Sequence, residues 1–307
     1  MTALAGISKT RKILYGSAAA WIGGTIALAA VFGLKAHKAP SVVNNVFSPT
    51  DEFKLDTWFH LGPINFNKGV LFIVLTALLT IGVMWWVASR MQRRPSRLQM
   101  AVEWLYGLSR SITRENMDAA TERRYFPFVA TLFVFIMVTN LISYIPLPIE
   151  SSNTFNLAGL KVPSFQIYAA DTNLAFPLIL TLSVFVLFVF EGVRHHGPIG
   201  YLKSLNPPGV SGWLLPLIFV LELISTFVLR PVSLCVRLWA NLLAGHWLIA
   251  FMSGELGVLV GQPFIAWFLL PLGILIYLFE AVLIAGLQAF IFAILTAIYI
   301  GGAVTEH

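Results

Sequence analysis

The chain has 307 residues, of which 58% are hydrophobic and 11% charged, with a mean hydropathy of +0.81 and a formal net charge of +6. Ordinary soluble domains carry about 25% charged residues, so a water-soluble fold is excluded. The basic residues fall in short clusters between apolar runs, a pattern of membrane orientation rather than nucleic-acid binding.

The first apolar run, residues 13–34, follows Lys9, Arg11 and Lys12. It reads as a retained membrane anchor or, alternatively, as a signal-like segment; its length favours the anchor, because signal h-regions span about 7–15 residues. Residues 1–50 are expected to be an N-terminal membrane anchor or signal-like extension, and residues 51–307 a membrane domain. Within that domain, runs 69–89, 125–146 and 173–193 each suit one crossing, which needs about 20 apolar residues. Between the first two lies the long polar stretch 90–124, where Leu98, Val102, Leu105, Leu108 and Ile112 recur at helical spacing among Arg and Glu residues. That spacing predicts an amphipathic helix on the inner membrane surface.

Two longer apolar tracts follow, residues 213–253 and 263–301, each about twice the length of an upright crossing. Each is either a hairpin of two spans or one steeply tilted helix. The middle of the first tract holds Arg230, Pro231 and Arg237, which a lipid-exposed hairpin tip would not tolerate. Long tilted helices packed against a partner are therefore expected, giving an all-α membrane protein of about six crossings.

With the N-terminus inside, the inner segments carry Lys9, Arg11, Lys12, Arg90, Arg93, Arg94, Arg97, Arg110, Arg114, Arg123, Arg124, Arg194 and Lys203. The outer ones carry only Lys35, Lys38, Lys54, Lys68 and Lys161, thirteen against five. No internal repeat of 20–50 residues is visible, which weakens the competing reading, a proton-coupled secondary transporter built from inverted repeats.

Ionisable residues inside spans are costly and functional by default. Here they are Glu191, Glu222, Arg230, Arg237, His246 and Glu280. Arg237 cannot lose its proton, so it requires an anion or a water-filled cavity. Arg230, Arg237 and Asn241 fall within about 40° of one another on an ideal helix, and His246 projects to the opposite side. His246 and Glu280, on successive tracts, suggest a proton relay, since His titrates near neutrality and a buried carboxylate moves toward the same range. Gln288 can hold water beside them. Glu191, next to Arg194, His195 and His196, reads as an interfacial cluster. Asp171 opens the fourth span, as a helix cap or a proton entrance. Cys235, the one cysteine, is read as a small buried apolar residue. No nucleotide-binding, zinc-protease or serine-hydrolase motif is present.

The stretch Arg230-Pro-Val-Ser-Leu-Cys-Val-Arg237-Leu-Trp-Ala-Asn241-Leu-Leu-Ala-Gly-His246 closely resembles the signature of subunit a of F-type ATP synthases. It is joined by Leu287-Gln288-Ala289-Phe290-Ile291-Phe292, Leu295-Thr296-Ala297-Ile298-Tyr299-Ile300 and Arg124-Tyr-Phe-Pro-Phe128, and the resemblance runs from about residue 50 onward. It implies that Arg237 is the stator arginine facing the c-ring carboxylate, and that Asn241 lines the same surface. His246 and Glu280 would belong to the outer half-channel, Asp171 to its entrance and Glu222 to the inner half-channel, with Gln288 also counted in the proton path. The interval from Glu280 to Gln288 is one residue longer than the family pattern. The implied partners are the c-ring, peripheral-stalk b subunits, other ATP synthase subunits and lipid, with no nucleic acid, metal or cofactor and no catalysis by the chain itself. The expected location is a bacterial plasma membrane, with the mitochondrial inner membrane as alternative.

Overall fold

The computed structural model describes residues 57–61, 64–157, 160–166, 168–205, 214–252 and 263–304. The run 13–34 lies outside them. A short antiparallel hairpin, β1 (Thr57–Leu61) and β2 (Ile64–Asn67), leads into α1 (Lys68–Ser89). Then come α2 (Arg97–Asn116) and α3 (Ala119–Ser143), a second hairpin of β3 (Leu147–Leu157) and β4 (Leu160–Gln166), and α4 (Ala175–Ser204). Next, α5 (Leu215–Ile224) runs through a π turn (Ser225–Leu229) into α6 (Arg230–Ala250); α7 (Pro263–Phe279) runs through a second π turn (Glu280–Ile284) into α8 (Ala285–Val304). The architecture is that of a helical membrane protein, and the two β-hairpins are additions that the apolar pattern did not reveal.

Among the described residues, five helical stretches are long and apolar enough to cross a membrane: Lys68–Ser89, Ala119–Ser143, Ala175–Ser204, Leu215–Ala250 and Phe268–Val304. The last two are continuous helices of 36 and 37 residues, so the hairpin alternative for the long tracts fails within them. The third crossing begins earlier than hydropathy suggested, because its charged first turn is still helical: Asp118 caps it, accepting from the Ala120 N–H at 3.3 Å. The other starts follow the same logic. Asn67 accepts from Val70 N–H at 3.0 Å to open α1, and Ser96 accepts from Gln99 N–H at 3.3 Å to open α2.

The described residues of Trp247–Phe279 belong to one compact unit and the remaining described residues to another. In the first, Trp247 and Phe251 rings pack at 6.1 Å, and a Cβ on Gly273 would stand 2.9 Å from the Met252 carbonyl oxygen. The second is organised around α8, whose Ala285, Ala289, Ala293, Ala297 and Gly301 are all buried. This helix packs against α2, α3 and α4. Small residues are what close helix approach in a membrane requires, because lipid offers no hydrophobic drive for helices to associate. Gly301 takes this to the limit: an added Cβ would collide with the backbone carbonyl of Asn116. The predicted stripe of α2 turns inward at Val102, Leu105, Leu108 and Ile112, covered by α3 and α8, whereas Leu98 is exposed.

Candidate functional site

Two polar groups lie at opposite ends of α5–α6, with Arg237 between them. The first is built around Glu222 on α5. Its Oε1 accepts from Arg230 Nη2 at 3.0 Å and from Thr226 Oγ1 at 3.5 Å. On an uninterrupted α-helix, residues eight apart are offset by about 80°. The intervening π turn, whose hydrogen bonds close one residue later, underwinds the helix and brings the two charges onto one face. The Arg230 guanidinium also lies over the Tyr299 ring at 5.5 Å. Arg230, seven residues before Arg237 on the regular helix α6, thus reaches back to Glu222.

These groups border a cavity of about 230 Å³ that is also lined by Phe188, Tyr201 and Ser204, roomy enough for several water molecules. A kink in α4 forms its wall. Gly197 has φ of +71°, which a side chain would resist. Past it, the chain turns back so that Tyr201 seats against Gly192, where a Cβ would strike the ring.

The second group gathers on α6, the end of α3 and the second π turn. His246 is 5% exposed. Its Nδ1 lies 3.0 Å from the Leu242 carbonyl; a carbonyl only accepts, so Nδ1 carries the hydrogen and Nε2 is the nitrogen that gains or loses a proton. Nε2 has no hydrogen-bond partner among the described residues. Glu280, also buried, opens the π turn, and its carboxyl occupies the space left by the missing side chain of Gly245. Tyr144, which caps α3, touches both: its ring stacks on His246 at 5.1 Å and its hydroxyl donates to Glu280 Oε2 at 3.5 Å. Sequence reading passed over Tyr144 because an aromatic at the end of a span is ordinarily an interfacial anchor.

Gln288 is buried one π turn and one α turn beyond Glu280, and accepts from Asn241 Nδ2 at 2.7 Å. Asn241, though exposed, is thus held by its own chain. Asp171 lies in the 3₁₀ turn Ala170–Thr172, which Trp239 Nε1 ties to α6 by donating to the Thr172 carbonyl at 2.9 Å; the Asp171 side chain is outside the described residues.

Arg237 itself is half-buried on α6 and makes no ion pair or side-chain hydrogen bond among the described residues. Its neighbours Leu234, Cys235 and Leu238 are buried. The other intramembrane carboxylate is spoken for: Glu191, 2% exposed, lies 3.3 Å from Arg124 Nη2 and 3.5 Å from Arg194 Nη1, tying α3 to α4. Among the described residues no cluster of His, Cys, Asp or Glu is able to hold a metal ion.

The ATP synthase A chain family matches residues 70–301. The chain is 34% identical over 266 residues to the ATP synthase subunit a of Acidiphilium cryptum, covering 83% of this chain and 96% of that protein. It is 34% identical over 239 residues to the subunit a of Rubrobacter xylanophilus, covering 77% and 83%. To that of Ehrlichia chaffeensis it is 32% identical over 269 residues, covering 85% and 99%.

Proposed function

The chain belongs to the ATP synthase A chain family, and from that premise we propose that it is the stator subunit of the membrane sector, coupling proton flow to rotation of a c-ring. The observation that carries this reading is the placement of Arg237, a permanent cation without an ion-pair partner among the described residues, between two polar groups at opposite ends of one helical tract. An unpaired guanidinium in apolar surroundings calls for an external anion, and the carboxylate of a neighbouring ring subunit is an anion of the right chemistry. The group of His246, Glu280, Tyr144 and Gln288 serves as the outer half-channel, with Asp171 at its entrance. The Glu222 cavity serves as the inner half-channel.

A proton entering from outside neutralises a ring carboxylate, travels with the ring, and departs inward when that carboxylate meets Arg237. The arginine favours the ionised carboxylate and bars direct passage between the half-channels. Each proton falling through 100 mV supplies about 2.3 kcal/mol, so several are used for each ATP made on other chains. The subunit does no nucleotide chemistry of its own. Residues 51–307 form this domain, preceded by an anchoring extension, and the peripheral-stalk b subunits hold it against rotation. The bacterial relatives and the inner excess of arginine favour a plasma membrane.

The test is purification of the tagged chain from its native membranes. Co-isolation with a small hairpin subunit bearing a membrane carboxylate and with soluble ATPase subunits is expected. Proton-coupled transport by the chain alone in liposomes would contradict the reading.

A further inference from the structure

The geometry points to Tyr144 as a positioning residue of the outer half-channel, holding the Glu280 carboxyl and the His246 imidazole as one unit through its hydroxyl and its ring. This rests on the function proposed above. The motif residues around Arg237 do not include Tyr144, which lies on a different helix and is 2% exposed.

Both contacts are directional. The Tyr144 and His246 ring planes differ by 27° at a centroid separation of 5.1 Å, so the tyrosine fixes the plane in which Nε2 points. The hydroxyl reaches Glu280 Oε2 at 3.5 Å, a hydrogen bond at the long end of the range. A phenol oxygen both donates and accepts. It therefore donates to Glu280 when that carboxyl is ionised and accepts from it when it is protonated, keeping the carboxyl in place in either state. Tyr144 neither gains nor loses a proton overall.

The surrounding packing makes this arrangement rigid. One turn before Tyr144, Asn140 is fully buried and donates from Nδ2 to the Ala285 carbonyl at 3.1 Å, pinning the end of α3 to the helix that follows the Glu280 turn. On the opposite side Gly245, adjacent to His246, leaves the carboxyl its niche. A tyrosine serving only as filler would be replaceable by phenylalanine, because the hydroxyl adds a polar atom whose burial costs free energy unless it is bonded. Two titratable groups from different elements, His246 from α6 and Glu280 from the π turn, are set against Tyr144.

The test uses the whole complex in liposomes, with pH on the two sides of the membrane set independently, and compares wild type, Tyr144→Phe and a variant carrying 3,5-difluorotyrosine at position 144. Tyr144→Phe should assemble, lose about tenfold in proton-driven ATP synthesis, the loss expected for one hydrogen bond to a charged group, and shift the dependence of the rate on outer pH while leaving that on inner pH unchanged. The difluoro variant, nearly isosteric but a more acidic phenol, should keep the rate within a few fold of wild type and shift the outer-pH dependence; it decides the matter should the Phe variant fail to assemble. A wild-type rate in Tyr144→Phe, or outer-pH dependence unmoved in the assembled variants, would overturn the assignment. Arg237→Ala runs in parallel: if it synthesises ATP normally, the proposed function has failed, whereas if it is inactive and Tyr144→Phe is normal, only the role of Tyr144 has.

Discussion

Gly245→Ala separates the function of the Glu280 niche from the stability of the fold. A Cβ at position 245 would stand 2.8 Å from Glu280 Cδ. Ordinary carbon contacts lie at about 3.5–4.0 Å, so the carboxyl must withdraw by about 1 Å. Because it is the end of a flexible side chain, the helices need not part. The displaced rotamer costs about 0.5–1.5 kcal/mol, while alanine gains about 1 kcal/mol over glycine within a helix, and the two nearly cancel. Assembly should therefore be unchanged. A misplacement of about 1 Å in a reacting group costs up to about 100-fold in rate, so proton-driven ATP synthesis in inverted vesicles should fall by about 10- to 100-fold at normal subunit content. A wild-type rate in the assembled Gly245→Ala complex would refute the placement of Glu280 in the proton path.

Gly301→Ala should behave in the opposite way. Its Cβ meets the Asn116 backbone rather than a movable side chain, so α2 and α8 must separate at a cost of about 1–3 kcal/mol, read as a lower melting temperature and reduced subunit content on blots. Asp118→Ala should cost about 1 kcal/mol through loss of the α3 cap. The Thr121 hydroxyl and nearby backbone N–H groups hold the Asp118 carboxyl below its ordinary value of 3.8. The cap's contribution is accordingly present above pH 4 and lost as pH falls through the lower folded value, so wild-type and variant melting temperatures should converge in acid; a constant difference would show that the charge is irrelevant.

The features legible in the sequence were those with one-dimensional signatures. Apolar length marked the crossings, and the position of Arg230 and Arg237 inside a long tract argued against a hairpin, in agreement with the continuous helix Leu215–Ala250. Ionisable residues in apolar runs singled out Glu222, Arg237, His246 and Glu280. Their places on successive tracts suggested the pairing of His246 with Glu280, but the contacts that position these side chains were not legible, because those depend on local departures from ideal helices. An ideal wheel offsets Glu222 from Arg230 by about 80°, but the π turn between them brings the two charges together. A second π turn seats Glu280 in the Gly245 niche. Tyr144 was hidden for a different reason: its neighbours in space, His246 and Glu280, are more than a hundred residues away along the chain. The two hairpins flanking α1 and α4 were hidden too, since short strand pairs outside the spans leave no mark on hydropathy.

The fixed charge of Arg237 is the centre of this account, and ATP synthesis by the assembled complex in inverted vesicles tests it most directly. With subunit content verified by blotting, Arg237→Ala should abolish proton-driven synthesis, and Arg237→Lys should fail or be severely impaired, because an ammonium lacks the five-donor fork and loses its proton when desolvated. Near-normal coupled synthesis in Arg237→Ala would contradict the account and leave Arg237 a structural cation.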